Sequence, residues 1–254
     1  MSIPGFQDWL ASPRGQYLLA WEQRQCDNIV ADIFGYNAVQ IGLPGTDYLR
    51  ANRMPSRFHC CDGSLGDVLC DAEELPFASQ SLDLLVLPHV LEFAAHPHQL
   101  LREAERVLVP EGSLVLTGFN PYSLWGVRRA FSGNLGPIPW QGQYLAVHRL
   151  KDWLTLLSFE AHTSNFGCYA PPVSSDVWLR RWSFMEFAGS RWWPFAGGAY
   201  LIHAVKKVRG MRLIVPSWRR APRSKKAMAP VPQRVQRGVS SAPDSPPKRL
   251  PDAS

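Results

Sequence analysis

Apolar and polar positions along the chain follow two rhythms. Ser81 to Pro88 is an almost continuous apolar run of strand length, the pattern of a strand covered on both faces. Pro97 to Leu108 then sets Leu100, Leu101, Ala104 and Val107 at helical spacing, with Pro110 and Gly112 as the stop. Ser113 to Phe119 is a second apolar run. Strand, helix and strand joined by short loops predict a βαβ unit with parallel strands.

The same reading extends in both directions. Ser12-Pro13 has the form of an N-cap followed by proline at the first helical position. It predicts a helix over Pro13 to Phe34, with Tyr17, Trp21, Ile29 and Ile33 at helical spacing and Gly35 as the stop. Ala38 to Ile41 is a short apolar run closed by Gly42, Pro44 and Gly45, and Thr46 to Asn52 reads as a brief helix. Arg57 to Cys61 and Asp67 to Cys70 are two more short runs, each ending beside an acid, Asp62 and Asp71. Helices are expected over Tyr122 to Phe131 and His148 to Leu157, and strands over Phe159 to Phe166 and Ala199 to Val208. The aromatic-rich stretch before the last strand holds Trp178, Trp182, Trp192 and Trp193, and the 178/182 spacing suits a helical lid. Buried strands alternating with helices predict a doubly wound, mostly parallel α/β sheet. Residues 36–208 form that domain, residues 1–35 an N-terminal helical extension and residues 209–254 a tail.

Composition and charge sharpen this division. An apolar share of 46% against 19% charged residues supports a full core and excludes collagen, coiled coil and wholesale disorder. The net charge of +6 is unevenly placed: from Lys206 onward there are 13 Lys/Arg and only 2 Asp/Glu, so the body is mildly acidic and the tail basic. Rich in Pro, Ser, Ala, Arg and Lys, the tail cannot bury a core and is expected to be disordered. Its Arg219 to Lys226 cluster would draw phosphates in a salt-dependent, sequence-blind way, a weak nucleic-acid contact. Cys26, Cys60, Cys61, Cys70 and Cys168 are an odd set in a chain large enough to stand without staples, which points to reduced thiols and a cytoplasmic protein. His59, Cys60, Cys61 and Cys70 lack the paired spacing of zinc knuckles, so no metal site is expected. MSIPGFQDWLASPRG has neither a basic n-region nor an apolar h-region, and no apolar run approaches the roughly 20 residues of a membrane span.

Doubly wound sheets bind ligands beyond the carboxyl ends of their strands. The candidate positions are therefore Gly42 to Gly45, Asp62, Asp71 to Glu73, Pro88 with His89, and Phe119 to Pro121. Three blocks around them occur in a telling order: DAEELPF from Asp71, SLDLLVLPHVLEF from Ser81, and LLREAERVLVPEGSLVLTGFNP from Leu100. This resembles the central part of the type 11 class I S-adenosylmethionine-dependent methyltransferases. The resemblance is specific over Asp71 to Pro121 and looser from Tyr36 to Val208; the Phe119-Asn-Pro segment and basic tail are similar to a small bacterial branch of that family.

The resemblance implies a seven-stranded-type Rossmann-like sheet, S-adenosylmethionine as cofactor and methyl transfer to an unidentified small-molecule acceptor. It implies that Asp71 bonds the adenine amino group and the Ala72 amide contacts the ring. Asp62 would grip the ribose hydroxyls, Gly42 and Gly45 would lie beside the cofactor, and Pro88 or His89 would line its methionine and sulfonium end. Methyl transfer from a sulfonium chiefly needs alignment, so no catalytic residue is named, although His89 titrates near neutrality and is a candidate for proton removal. The glycine loop departs from the family pattern: Gln40 stands where an acid is usual, and Pro44 replaces a glycine. Either the loop has decayed or it has been remodelled around Pro44. The alternative function is a non-catalytic binding protein on the same scaffold, with a tail that attracts polyanions.

Overall fold

The structure is a computed structural model, and it describes residues 5–61, 66–132, 138–172, 181–182 and 184–207. These lie within one unit, Met1–Gly210. The basic tail, Asp62 and Trp178 fall outside the described residues.

Seven strands form one sheet: β1 (Asn37–Ile41), β2 (Ser56–Cys61), β3 (Val68–Leu69), β4 (Leu82–Pro88), β5 (Leu108–Phe119), β6 (Phe159–Gly167) and β7 (Ala199–Lys206). Their order is β3-β2-β1-β4-β5-β7-β6. All neighbours from β3 to β5 are parallel, and β7 runs antiparallel between β5 and β6. The chain is thus a mixed Rossmann-like sheet of the methyltransferase type.

Among the described residues the helices that accompany it include α1 (Phe6–Leu10), α2 (Pro13–Val30), α3 (Pro97–Val107), α4 (Leu124–Ser132), α5 (Val147–Leu156) and α6 (Phe184–Trp192). The period-2 geometry of a strand sends alternate side chains of β4 to opposite faces. Leu85 and Leu87 join α3 residues Leu100, Leu101 and Ala104 on one face, with Leu150 and Leu154 of α5. Leu84 and Val86 join Phe6, Leu18, Cys26 and Trp125 on the other. Both faces are therefore dry, which is why β4 reads as an unbroken apolar run.

Two local expectations are corrected. The inward stripe of α2 is Gly15, Leu18, Glu22, Cys26 and Val30, one position round from Tyr17, Trp21 and Ile29, which are only half-buried. The helix also stops at Val30, because the Asn52 side-chain amide donates to the carbonyls of Val30 (2.7 Å) and Ile33 (3.2 Å) and satisfies the orphaned end. Residues 46–52 are not a helix but a series of turns. A buried side chain, Gln40, organises those turns and is described next.

Candidate active site at the carboxyl edge of the sheet

Parallel strands deliver their ends to one edge. There Ile41 leads into Gly42, Leu69 into Asp71 and Ala72, Pro88 into His89, and Phe119 into Asn120. Gly42, Pro88, His89 and Ala72 are buried, whereas Gly45 and Asp71 are exposed.

The glycine loop is held by a staple rather than by glycines. Gln40 is fully buried on β1. Its Nε2 donates to the carbonyls of Gly42 (3.2 Å), Leu43 (3.3 Å) and Thr46 (2.7 Å), and its Oε1 accepts from the Tyr48 amide (2.8 Å). A carboxylate could accept from Tyr48 but would face three carbonyl oxygens with no hydrogen to offer. Glutamine at this position is thus a structural requirement of this loop. Gly42 has a φ of 80°, where a Cβ would be strained, and it enters the turn that Pro44 continues. Gly45 faces the N-terminal extension: a Cβ built on it would come within 3.2 Å of Gln7 Nε2 on α1. This geometry matches a remodelled loop.

At the end of β4 the structure places an ionic cluster. His89 Nε2 donates to Glu22 Oε1 on α2 (2.7 Å), and Nδ1 donates to Glu92 Oε2 (2.9 Å). All three side chains are buried. Tyr48 Oη donates to the second Glu22 oxygen (2.6 Å), and the Phe119 amide donates to the second Glu92 oxygen. Burial alone would lower the His89 pKa, but the two carboxylates overcome it and hold the imidazole at about 10. Burial raises Glu92, against the pull of His89. His89 also has a φ of 54°, a backbone conformation uncommon for a residue with a Cβ, at an order of 1–3 kcal/mol of strain. The cluster fixes it from both sides.

One expectation therefore falls. With both ring nitrogens committed as donors and the ring protonated through neutrality, His89 is not available as a base. Its ring packs at 4.4 Å from Phe119 and 5.4 Å from Phe6, in a group of rings that includes Trp9, Trp125 and Tyr144. Two buried polar atoms of this group, Trp9 Nε1 and Tyr144 Oη, find no protein partner.

Asp71 ends its short strand in a turn, its Oδ1 accepting from the Glu73 amide (3.0 Å). The segment that follows is tied to α3. Arg106 donates to the carbonyls of Leu75 (2.9 Å) and Phe77 (2.8 Å) and pairs with Glu103 (2.8 Å), which accepts from the Leu75 amide (3.1 Å). The guanidinium bonds and those of the Leu75 amide hold the Glu103 carboxyl below its usual range. Two of the sequence blocks thus belong together because one clamps the other.

Of the residues expected at the cofactor, Gly42, Asp71, Ala72, Pro88 and His89 stand at the strand ends, Gly45 packs on α1, and Asp62 lies outside the described residues. Glu22, Glu92 and Tyr48 were not anticipated. The available signal was a charged residue, Glu22, spaced four positions from both Leu18 and Cys26 on an inward stripe. No helix among the described residues is long and apolar enough to cross a membrane.

Comparison with known proteins accords with this architecture. The sequence model of a family described as "Methyltransferase domain" matches residues 46–116. The chain is 34% identical over 161 residues to the uncharacterized protein YafS of Escherichia coli (strain K12), covering 62% of this chain and 67% of YafS. It is 34% identical over 92 residues to the malonyl-[acyl-carrier protein] O-methyltransferase of Laribacter hongkongensis, covering 36% of this chain and 31% of that enzyme. Among solved structures, a SAM-dependent methyltransferase from Thermotoga maritima superposes with a TM-score of 0.54 at 16% identity, over 74% of this chain and 92% of that one. The chain belongs to the class I S-adenosylmethionine-dependent methyltransferase family, in its type 11 methyltransferase-domain branch.

Proposed function

We propose that the chain transfers a methyl group from S-adenosylmethionine to a small-molecule acceptor at the carboxyl edge of the sheet. The observation that carries this reading is the loop held by Gln40. A purpose-built amide staple keeps Gly42 at positive φ at the end of β1, level with the strand-end residues Asp71, Ala72, Pro88 and His89. A decayed loop would not need four hydrogen bonds from one buried side chain.

In this reading Asp71, exposed at its turn, receives the adenine amino group, with the Ala72 amide beside it. Gly42 and the Pro88–His89 backbone lie along the methionine end. When bound, the cofactor supplies an electrophilic methyl on sulfur, so the protein's task is alignment. The Glu22–His89–Glu92 cluster fixes the end of β4, and through the Phe119 amide it fixes the end of β5. The unpartnered Trp9 Nε1 and Tyr144 Oη suit a polar ligand or ordered water, since buried polar groups are normally paired. His89, with both ring nitrogens committed, takes no proton from the acceptor in this reading.

The packing of Gln7 against Gly45 supports a second reading, in which α1 closes the edge and the scaffold serves binding through the basic tail. Calorimetric titration with S-adenosylhomocysteine separates the two. Binding supports the methyltransferase reading, and silence at millimolar ligand supports the other.

A further inference from the structure

The carboxyl edge continues past His89 into a cavity. Asn120, the residue after β5, donates from Nδ2 to the carbonyls of Phe195 (2.7 Å) and Gly197 (2.9 Å) and accepts at Oδ1 from the Tyr122 amide (3.0 Å). One side chain thus ties the end of β5 to the approach to β7 and to the start of α4. Beyond it opens a cavity of about 380 Å³, within the range of small-molecule sites. Its walls are Phe166, Phe195, Tyr122 and Val147, with His148 and Lys151 from the first turns of α5. Phe166 and Phe195 meet edge to face at 6.0 Å, and Tyr122 stacks on His148 at 6.1 Å.

The cation is the informative member. Lys151 is half-buried, and among the described residues no carboxylate lies within ion-pair distance of it. Lys207, across a neighbouring cavity that Lys151 also borders, is by contrast paired with Glu111 at 2.7 Å. A lysine stem lies along such aromatic walls while its ammonium stays at the rim, where an anionic head group can meet it. Lysine is a compact point charge, suited to a single carboxylate rather than to a forked contact. The lining is also apolar at the surface: Tyr122 and Phe195 are both exposed.

We propose that this cavity is the acceptor site and takes an acidic amphiphile: an apolar chain or ring laid against Phe166 and Phe195, with one carboxylate on Lys151. The proposal rests on the methyltransferase reading above, because Asn120 sits next to Phe119, whose ring lies against His89.

The test titrates the full-length chain with dodecanoate below its micellar concentration, beside dodecylammonium and S-adenosylhomocysteine. Dodecanoate is expected to bind at least about tenfold tighter than dodecylammonium. Lys151→Gln should remove most of that preference while leaving S-adenosylhomocysteine affinity unchanged. Phe166→Ala should weaken both amphiphiles. Equal binding of the two head groups, or wild-type dodecanoate affinity in Lys151→Gln, overturns the proposal. If those results come while S-adenosylhomocysteine binds, only the acceptor assignment falls. If dodecanoate passes every arm and S-adenosylhomocysteine does not bind, the cavity stands as a ligand site and the methyltransferase reading falls.

Discussion

Glu22 and His89 are joined by a 2.7 Å hydrogen bond between fully buried side chains 67 positions apart. This bond ties helix α2 to the end of β4, so α2 is part of what holds that strand end in place. Removing one partner of such a pair strands the other charge in a dry environment, at roughly 3–5 kcal/mol. Glu22→Ala is therefore expected to lower stability by that order, and Glu22→Gln, which can still accept from His89, by clearly less. Urea unfolding of both variants reads the difference, and equal small losses would mean the pair is not ionic.

The protonation of His89 gives a second expectation. Its folded pKa of about 10 exceeds the ordinary value of 6.5, so between those limits the folded chain holds a proton that the unfolded chain releases. Stability from this group is complete below about pH 6.5 and is lost as pH rises through about 10, at up to 1.36 kcal/mol per pH unit. The raised Glu92 works in the same direction in its own range. Histidine NMR should show one imidazolium that does not titrate from pH 5.5 to 8.5. A neutral His89 at pH 8 would contradict the cluster as described.

Gln40 separates a remodelled loop from a decayed one. Restoring an acid with Gln40→Glu removes the donors to Gly42, Leu43 and Thr46 and leaves a buried carboxylate facing them. Each unmade buried bond costs about 1–3 kcal/mol, more with charge. The variant should lose stability and bind S-adenosylhomocysteine more weakly than wild type. Pro44→Gly should weaken binding as well, through a looser turn. Tighter binding in either variant would mark the loop as a relic.

Arg106 makes a claim about the clamp on the Asp71 segment. It holds the Leu75 and Phe77 carbonyls and the Glu103 carboxylate at once. Arg106→Ala should cost about 1–3 kcal/mol, and Arg106→Lys should recover only part, since an ammonium lacks the fork. Hydrogen exchange of the Leu75 amide, which bonds Glu103, should accelerate in both. Unchanged exchange would show that the segment is held by packing alone.

Much of this architecture is legible in the chain itself. The apolar run of β4, the period of α3 and the order of the three blocks specify the βαβ core, because strands covered on both faces leave no other pattern. Ser12-Pro13 likewise marks the start of α2, where the Ser12 side chain accepts from the Gly15 amide. What escaped depends on contacts between residues distant in sequence. Apolar spacing alone placed the stripe of α2 one residue off, because its inward row contains Glu22, and a lone acid on a helix ordinarily reads as solvated. The pairing of Glu22 with His89 exists only once α2 lies across β4. Gln40 looked like a lost acid because its value lies in its donors, which matter only after the loop has curled back on it.

Cofactor binding at the strand ends is the central expectation for this chain. Calorimetry of the full-length chain with S-adenosylhomocysteine, repeated on Asp71→Ala, measures it. Wild type should bind saturably, and the variant should lose about 1–3 kcal/mol of affinity, the contribution of one charge-assisted hydrogen bond. Absence of binding by folded wild-type protein at millimolar ligand, or identical affinity in Asp71→Ala, would contradict it.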